Sequence, residues 1–82
     1  MEFEVGDKVW LVDVYGEFTD GEGIAVFGDT VTDIYVDEND PDDEPLYQTT
    51  YATFWDSSIG RLAFRTREEA EARKKELEDY AG

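Results

Sequence analysis

KVWLVDVY, residues 8–15, decides how the chain is read. Its β-branched and aromatic residues predict a strand. Val9, Leu11 and Tyr15 point to one face, while Trp10, Val12 and Val14 point to the other. Apolar residues on both faces place such a strand inside a curled sheet rather than at an open edge. The Gly6-Asp7 pair ahead of it is a turn signal. After it, residues 16–23 hold three glycines and three acids, a hairpin loop or a short irregular connection. Residues 24–27, IAVF, predict a second strand closed by Gly28-Asp29, and residues 30–36 a third. In that third strand Thr30, Thr32, Ile34 and Val36 share one face, with Val31, Asp33 and Tyr35 opposite.

Residues 37–45, DENDPDDEP, combine six carboxylates with two prolines. Proline removes ladder donors and mutual repulsion extends the segment, so an exposed loop is expected. Residues 46–55 then alternate, with Tyr47, Thr49, Tyr51, Thr53 and Trp55 on one side, and they form the longest strand candidate. Residues 56–58 read as a turn and residues 59–64 as a fifth strand. Thr66 opens the one convincing helix, and Glu69 three residues on completes a capping box. Ala70, Leu77, Tyr80 and Ala81 give that helix a thin apolar stripe, with Glu69–Arg73 and Glu71–Lys75 as i,i+4 pairs. The expected fold is α+β, mainly β, in a single domain spanning residues 1–82. About five strands over residues 1–64 form a small, strongly bent antiparallel sheet or partial barrel, and residues 65–81 form one C-terminal helix.

The charge is unevenly placed. The 82 residues carry 22 acids against 7 Lys and Arg, a formal charge of -15. Residues 9–60 contain no Lys, Arg or His, yet hold thirteen carboxylates. Residues 1–63 have 16 acids and 2 bases, whereas residues 64–82 have 6 acids and 5 bases. Like charges on a folded body repel, so folding alone does not call for this concentration. The absence of cysteine removes disulfide, thiolate and redox chemistry, and the absence of histidine removes the usual general base and metal ligand. No apolar run approaches the ~20 residues that cross a bilayer, and Met1-Glu2-Phe3-Glu4 does not resemble a secretory signal, so a cytoplasmic location is expected. Phosphate and anionic lipid would be repelled, which leaves a cationic protein surface as the natural partner.

Each candidate chemistry has a plainer rival. The acidic residues Asp37, Glu38, Asp40, Asp42, Asp43 and Glu44 can imitate a run of phosphates or simply solubilise a loop. Asp13, Glu17, Asp20, Glu22, Asp29, Asp33 and Asp56 continue the acidity beyond the loop. Alternate strand residues lie ~6.5–7 Å apart, near the phosphate spacing of one nucleic-acid strand, so Asp29 and Asp33 are candidates for a phosphate-like row. A calcium loop starting at Asp37 would need Gly at its sixth position and Glu at its twelfth, but Asp42 and Gln48 stand there. Paired carboxylates could serve glycoside hydrolysis, yet no nucleophile–base pair or substrate cleft is visible, and no enzyme activity or cofactor is expected. Tyr47, Tyr51 and Trp55 fall on one strand face, with Trp10 and Tyr35 as neighbours; such rings serve either a core or a protein-binding patch.

Two segments carry a resemblance. FEVGDKVWLVD, residues 3–13, resembles the opening strand of small SH3-like barrel proteins, and LAFRTREEAEARKKEL, residues 62–77, resembles the closing strand-to-helix passage of short phage and prophage accessory proteins. In size and acidity the chain is similar to phage-encoded inhibitors of host defence, the anti-CRISPR proteins and other DNA mimics. That resemblance implies an SH3-like partial barrel and a non-enzymatic inhibitor occupying the basic nucleic-acid groove of a host nuclease or related protein. Its contacts would be Asp33, Asp37, Glu38, Asp40, Asp42, Asp43 and Glu44, with Tyr47 and Trp55 as anchors. The alternatives are a domain whose acidity serves solubility or halophilic adaptation, and a small virion or assembly component. At this charge a monomer, or at most a dimer, is expected.

Overall fold

The computed structural model describes residues 2–14, 23–40 and 42–81, so most of the expected connection at residues 16–23 lies outside the described residues. Strands β1 (Lys8–Asp13), β2 (Ala25–Tyr35), β3 (Leu46–Thr49), β4 (Thr53–Trp55) and β5 (Ala63–Phe64) form one antiparallel sheet in the order β4-β3-β2-β1-β5. A one-turn 3-10 helix, Asp56–Ser58, separates β4 from β5, and helix α1 (Arg67–Ala81) closes the chain. The sheet curls into a half-barrel because β2 serves two neighbours. Its first half pairs with β1, from Lys8↔Thr30 to Asp13↔Ala25, and its second half with β3, from Val31↔Thr49 to Tyr35↔Leu46.

The five strands are not divided as the sequence suggests. Gly28-Asp29, expected as a turn, lies inside β2, which runs unbroken through both residues. Gly28 faces Trp10 across the ladder, and a Cβ there would sit 2.8 Å from Lys8 Cε and 2.9 Å from Trp10 Cζ3. The glycine is therefore required by close approach and not by turning. The expected long strand over residues 46–55 is instead a hairpin. Its tight turn at Thr50-Tyr51 is closed by the Thr49 amide donating to the Ala52 carbonyl (2.8 Å) and the Ala52 amide donating to the Thr49 hydroxyl (3.0 Å). The fifth strand is shortened to two residues, because the 3-10 helix and a turn occupy most of residues 56–62.

β1 does what its two apolar faces predict. Val9 and Leu11 enter a core with Phe3, Val31, Tyr47, Ala52, Phe54 and Ala63, inside the curled sheet. Val12, with Trp10 and Val14 beside it, packs on the other side against Phe64, Ala70 and Leu77, beneath α1. Three rings organise the inner core: Tyr47 stacks on Phe54 at 5.1 Å, and Phe3 meets both edge-on at 5.9 and 6.0 Å.

The helix begins where Thr66 and Glu69 place it, although the Glu69 carboxylate meets the Thr66 hydroxyl and not the backbone amide that a full capping box would give it. The Glu69 amide donates to the Thr66 hydroxyl (3.2 Å), which in turn donates to the Glu69 carboxylate (3.0 Å). With Glu69 engaged there, the ion pairs differ from those expected: Arg67–Glu71, Arg73–Glu76 and Lys74–Glu78 replace Glu69–Arg73 and Glu71–Lys75. Arg73 also donates to the Arg61 carbonyl at 3.1 Å, which ties the helix to the turn before β5. Among the described residues no helix is long and apolar enough to cross a membrane.

Candidate functional site

The acids of the β portion divide into two groups with different duties. Asp29 is buried, and its carboxylate accepts the amides of Thr30 (2.8 Å) and Tyr51 (3.0 Å). Burial pushes its pKa up, but the hydrogen bonds from Tyr51, Thr30 and the Thr49 and Thr50 side chains prevail, so it lies below the usual aspartate value. Asp29 thus holds the β3–β4 turn against β2 and does not join Asp33 in an exposed row. Asp13 is likewise buried. Asp56 accepts the Tyr47 hydroxyl at 3.1 Å.

Tyr47 itself is fully buried. Its hydroxyl accepts the Glu2 amide at 3.2 Å while donating to Asp56, and burial together with that carboxylate holds the phenol above its ordinary pKa. As an anchor for a partner it is corrected to a core residue. The hairpin reverses the chain between Tyr47 and Trp55, so the two residues sit on different strands and opposite faces: Tyr47 pairs with Phe54 inside, and Leu46 with Trp55 outside.

The second group is exposed. Asp37, Glu38, Asp40, Asp42 and Asp43 lie on the surface in the loop joining β2 to β3, and Asp33 is exposed on β2 itself. Asp33 gains its outward position from a bulge. The pairing slips between Val31 and Asp33, leaving Thr32 as the extra residue, so Val31 and Ile34 turn inward while Asp33 and Tyr35 turn outward. Within the loop, Asp37 accepts the Asn39 amide (2.9 Å) and Asp40 the Asp42 amide (3.2 Å), turns that fold the segment locally. Glu44 is half-buried and clamps the loop to the 3-10 helix, accepting the Ser57 amide (3.0 Å) and hydroxyl (3.1 Å). Residues 33–44 hold seven carboxylates and no base. The four ion pairs among the described residues all involve Glu2 or the helix, so none neutralises this segment.

Beside the acids runs a cross-strand row that brings Tyr35 near Trp55, as expected, but through Leu46, which sequence reading did not single out. Tyr35 on β2 faces Leu46 on β3, which faces Trp55 on β4. Tyr35 is 53% and Trp55 46% exposed, and the Tyr35 hydroxyl donates to Gln48 (2.9 Å) one step along the same face. With Ile34, Val36, Asp37, Asp43 and Glu44 this row lines a surface groove of about 420 Å³. The only sequence signal for it was the abundance of Tyr and Trp near the loop; their pairing depends on the bulge and the hairpin.

The bases lie elsewhere. Arg65 pairs with Glu2 (3.0 Å) and lies over the Phe3 ring at 5.1 Å, while Lys8 and Arg67 lie over Trp10 at 5.2 and 5.8 Å. Comparison with protein-family models, curated proteins and solved structures finds no match to this chain.

Proposed function

We propose that this chain is a non-enzymatic binding protein that occupies a basic nucleic-acid-binding groove on another protein, as a phage-encoded inhibitor of the anti-CRISPR or DNA-mimic type. The observation that carries this reading is the segment 33–44: seven carboxylates, no base, and six of the acids exposed beside an aromatic groove. Asp33, Asp37, Glu38, Asp40, Asp42 and Asp43 stand in for phosphates, Glu44 fixes the loop that carries them, and Trp55 supplies apolar contact.

The mechanism is electrostatic competition. Long-range attraction speeds encounter with a cationic cleft, and desolvated aromatic contact slows departure. A fold that keeps its bases near β1, β5 and α1 leaves the acidic loop uncancelled, which supports a directed field over a uniformly solvated surface. Separation of the two groups of acids supports the reading further: Asp13 and Asp29 are buried in the sheet, whereas Asp33, Asp37, Glu38, Asp40, Asp42 and Asp43 are exposed.

The test is affinity capture from a bacterial lysate on the immobilised chain, followed by elution with heparin or duplex DNA. Nucleic-acid enzymes released by polyanion are the expected result. Capture that resists both polyanion and salt would overturn the reading.

A further inference from the structure

Of the six large apolar side chains exposed among the described residues, three (Tyr35, Val36 and Trp55) gather at the groove beside the acidic loop. Its floor is the Tyr35–Leu46–Trp55 row, and its rim carries Asp37, Asp43 and Glu44. Among the described residues no Lys or Arg lines it. An apolar floor with an anionic rim restricts the occupant. A purely apolar segment would bury the rim carboxylates without partners, which is costly. A phosphate-bearing ligand or a second copy of this chain, itself at -15, would meet repulsion.

We propose that the groove takes an arginine side chain from an extended basic segment of the partner. Its aliphatic stem covers Leu46 and Val36, its guanidinium plane lies against the Trp55 indole, and its N–H fork reaches the rim carboxylates. Arginine fits better than lysine for physical reasons. The guanidinium is planar and weakly hydrated, stacks on an aromatic face, and presents donors in a fork that matches a carboxylate. A lysine ammonium can satisfy the rim but gains less from the floor. This assignment rests on the proposed function above and names the chemistry of its contact: the loop attracts any cation, and the groove selects among them.

The experiment titrates the isotope-labelled full chain, followed by NMR, with an oligo-arginine and an oligo-lysine peptide of equal length and charge at near-physiological salt. The arginine peptide is expected to bind about fivefold tighter or more. It should shift the Trp55 indole N–H together with the Tyr35 and Leu46 amides. Trp55→Ala should abolish the preference, bringing the affinity for oligo-arginine to within about twofold of that for oligo-lysine measured on the same variant. Trp55→Leu, which keeps apolar bulk on the strand but no π face, should do the same. Equal affinity for the two peptides, or a preference that survives both substitutions, would overturn the assignment. If capture on the immobilised chain responds to polyanion but the arginine preference is absent, this inference fails and the proposed function stands. If the preference is present and capture ignores polyanion, the proposed function fails and the arginine site stands.

Discussion

Replacing Asp29 distinguishes an acid the fold requires from acids it merely tolerates. The Asp29 carboxylate accepts two backbone amides, Thr30 at 2.8 Å and Tyr51 at 3.0 Å, and the second belongs to the turn of another hairpin. Hydrogen bonds to a charged group contribute about 1.5–3 kcal/mol each, so two sum to about 3–6 kcal/mol. Both bonds are only partly buried, and water can recover part of the loss, which leaves about 2–4 kcal/mol for Asp29→Ala. A chain of this length has about 4–12 kcal/mol of total stability, so the substitution removes a large share. In melting experiments followed by circular dichroism this is a fall of about 8–32 °C, at about 4–8 °C per kcal/mol. Asp29→Asn keeps one acceptor oxygen but turns a donor NH2 toward the other backbone amide, so it should cost at least half as much. The pH dependence gives a second, independent reading. The folded-state pKa of Asp29 is lowered, so its contribution is present above the unfolded value of about 4 and is lost as pH falls through the folded one. The stability gap between wild type and Asp29→Asn should therefore close in acid. A cost below about 0.5 kcal/mol for Asp29→Ala, the range of an ordinary surface change, would refute the structural role. A gap to Asp29→Asn that is constant with pH would refute the charge argument.

Other expectations follow from the same geometry. Tyr47→Phe removes the hydroxyl that links Glu2 to Asp56 and should cost about 1–2 kcal/mol in urea unfolding. Because the folded tyrosine holds its proton above the ordinary value of 10.0, its contribution is full below that pH and is lost as pH rises through the higher folded value, and the variant should lose that alkaline decline. Gly28→Ala drives a methyl toward the Trp10 ring and should destabilise by about 1–3 kcal/mol, with a change in tryptophan fluorescence. Thr66→Ala removes the helix cap and should cost about 1 kcal/mol, read as a lower melting temperature and reduced helical ellipticity.

Local chemistry was legible in the sequence where it is local in fact. The two apolar faces of β1 predicted a strand inside a curled sheet and not at its edge, and β1 pairs with β2 and β5, with Val9 and Leu11 on one side and Trp10 and Val12 on the other. Thr66 and Glu69 set the helix start through contacts three residues apart. The errors arose where a distant partner decides. Gly28-Asp29 has the composition of a turn, but the glycine makes room for Trp10 from β1, and the aspartate binds Tyr51, 22 residues away. Conversely Thr50-Tyr51 continues an alternating pattern and carries no turn residue, so the hairpin is set by Asp29 and by Thr49 with Ala52. The bulge at Thr32 had no signature at all, yet it determines that Asp33 and Tyr35 face outward. For the candidate site, the acidic loop was visible as composition, whereas the groove that accompanies it required strand register. Tyr47 and Trp55 looked alike in an alternating string and part company only because the chain turns between them.

The central claim is that the exposed acids of residues 33–44 form a binding surface that competes with nucleic acid. Its most direct test is the affinity of the chain for a captured nucleic-acid enzyme, measured across a salt series with duplex DNA as competitor, for wild type and for a variant with Asp37, Asp40, Asp42 and Asp43 all changed to Asn. Wild-type binding is expected to weaken steeply with salt and to be displaced by DNA. The variant, folded as well as wild type, should bind weakly and with a flatter salt dependence. Equal affinity and equal salt dependence for the two proteins would contradict it.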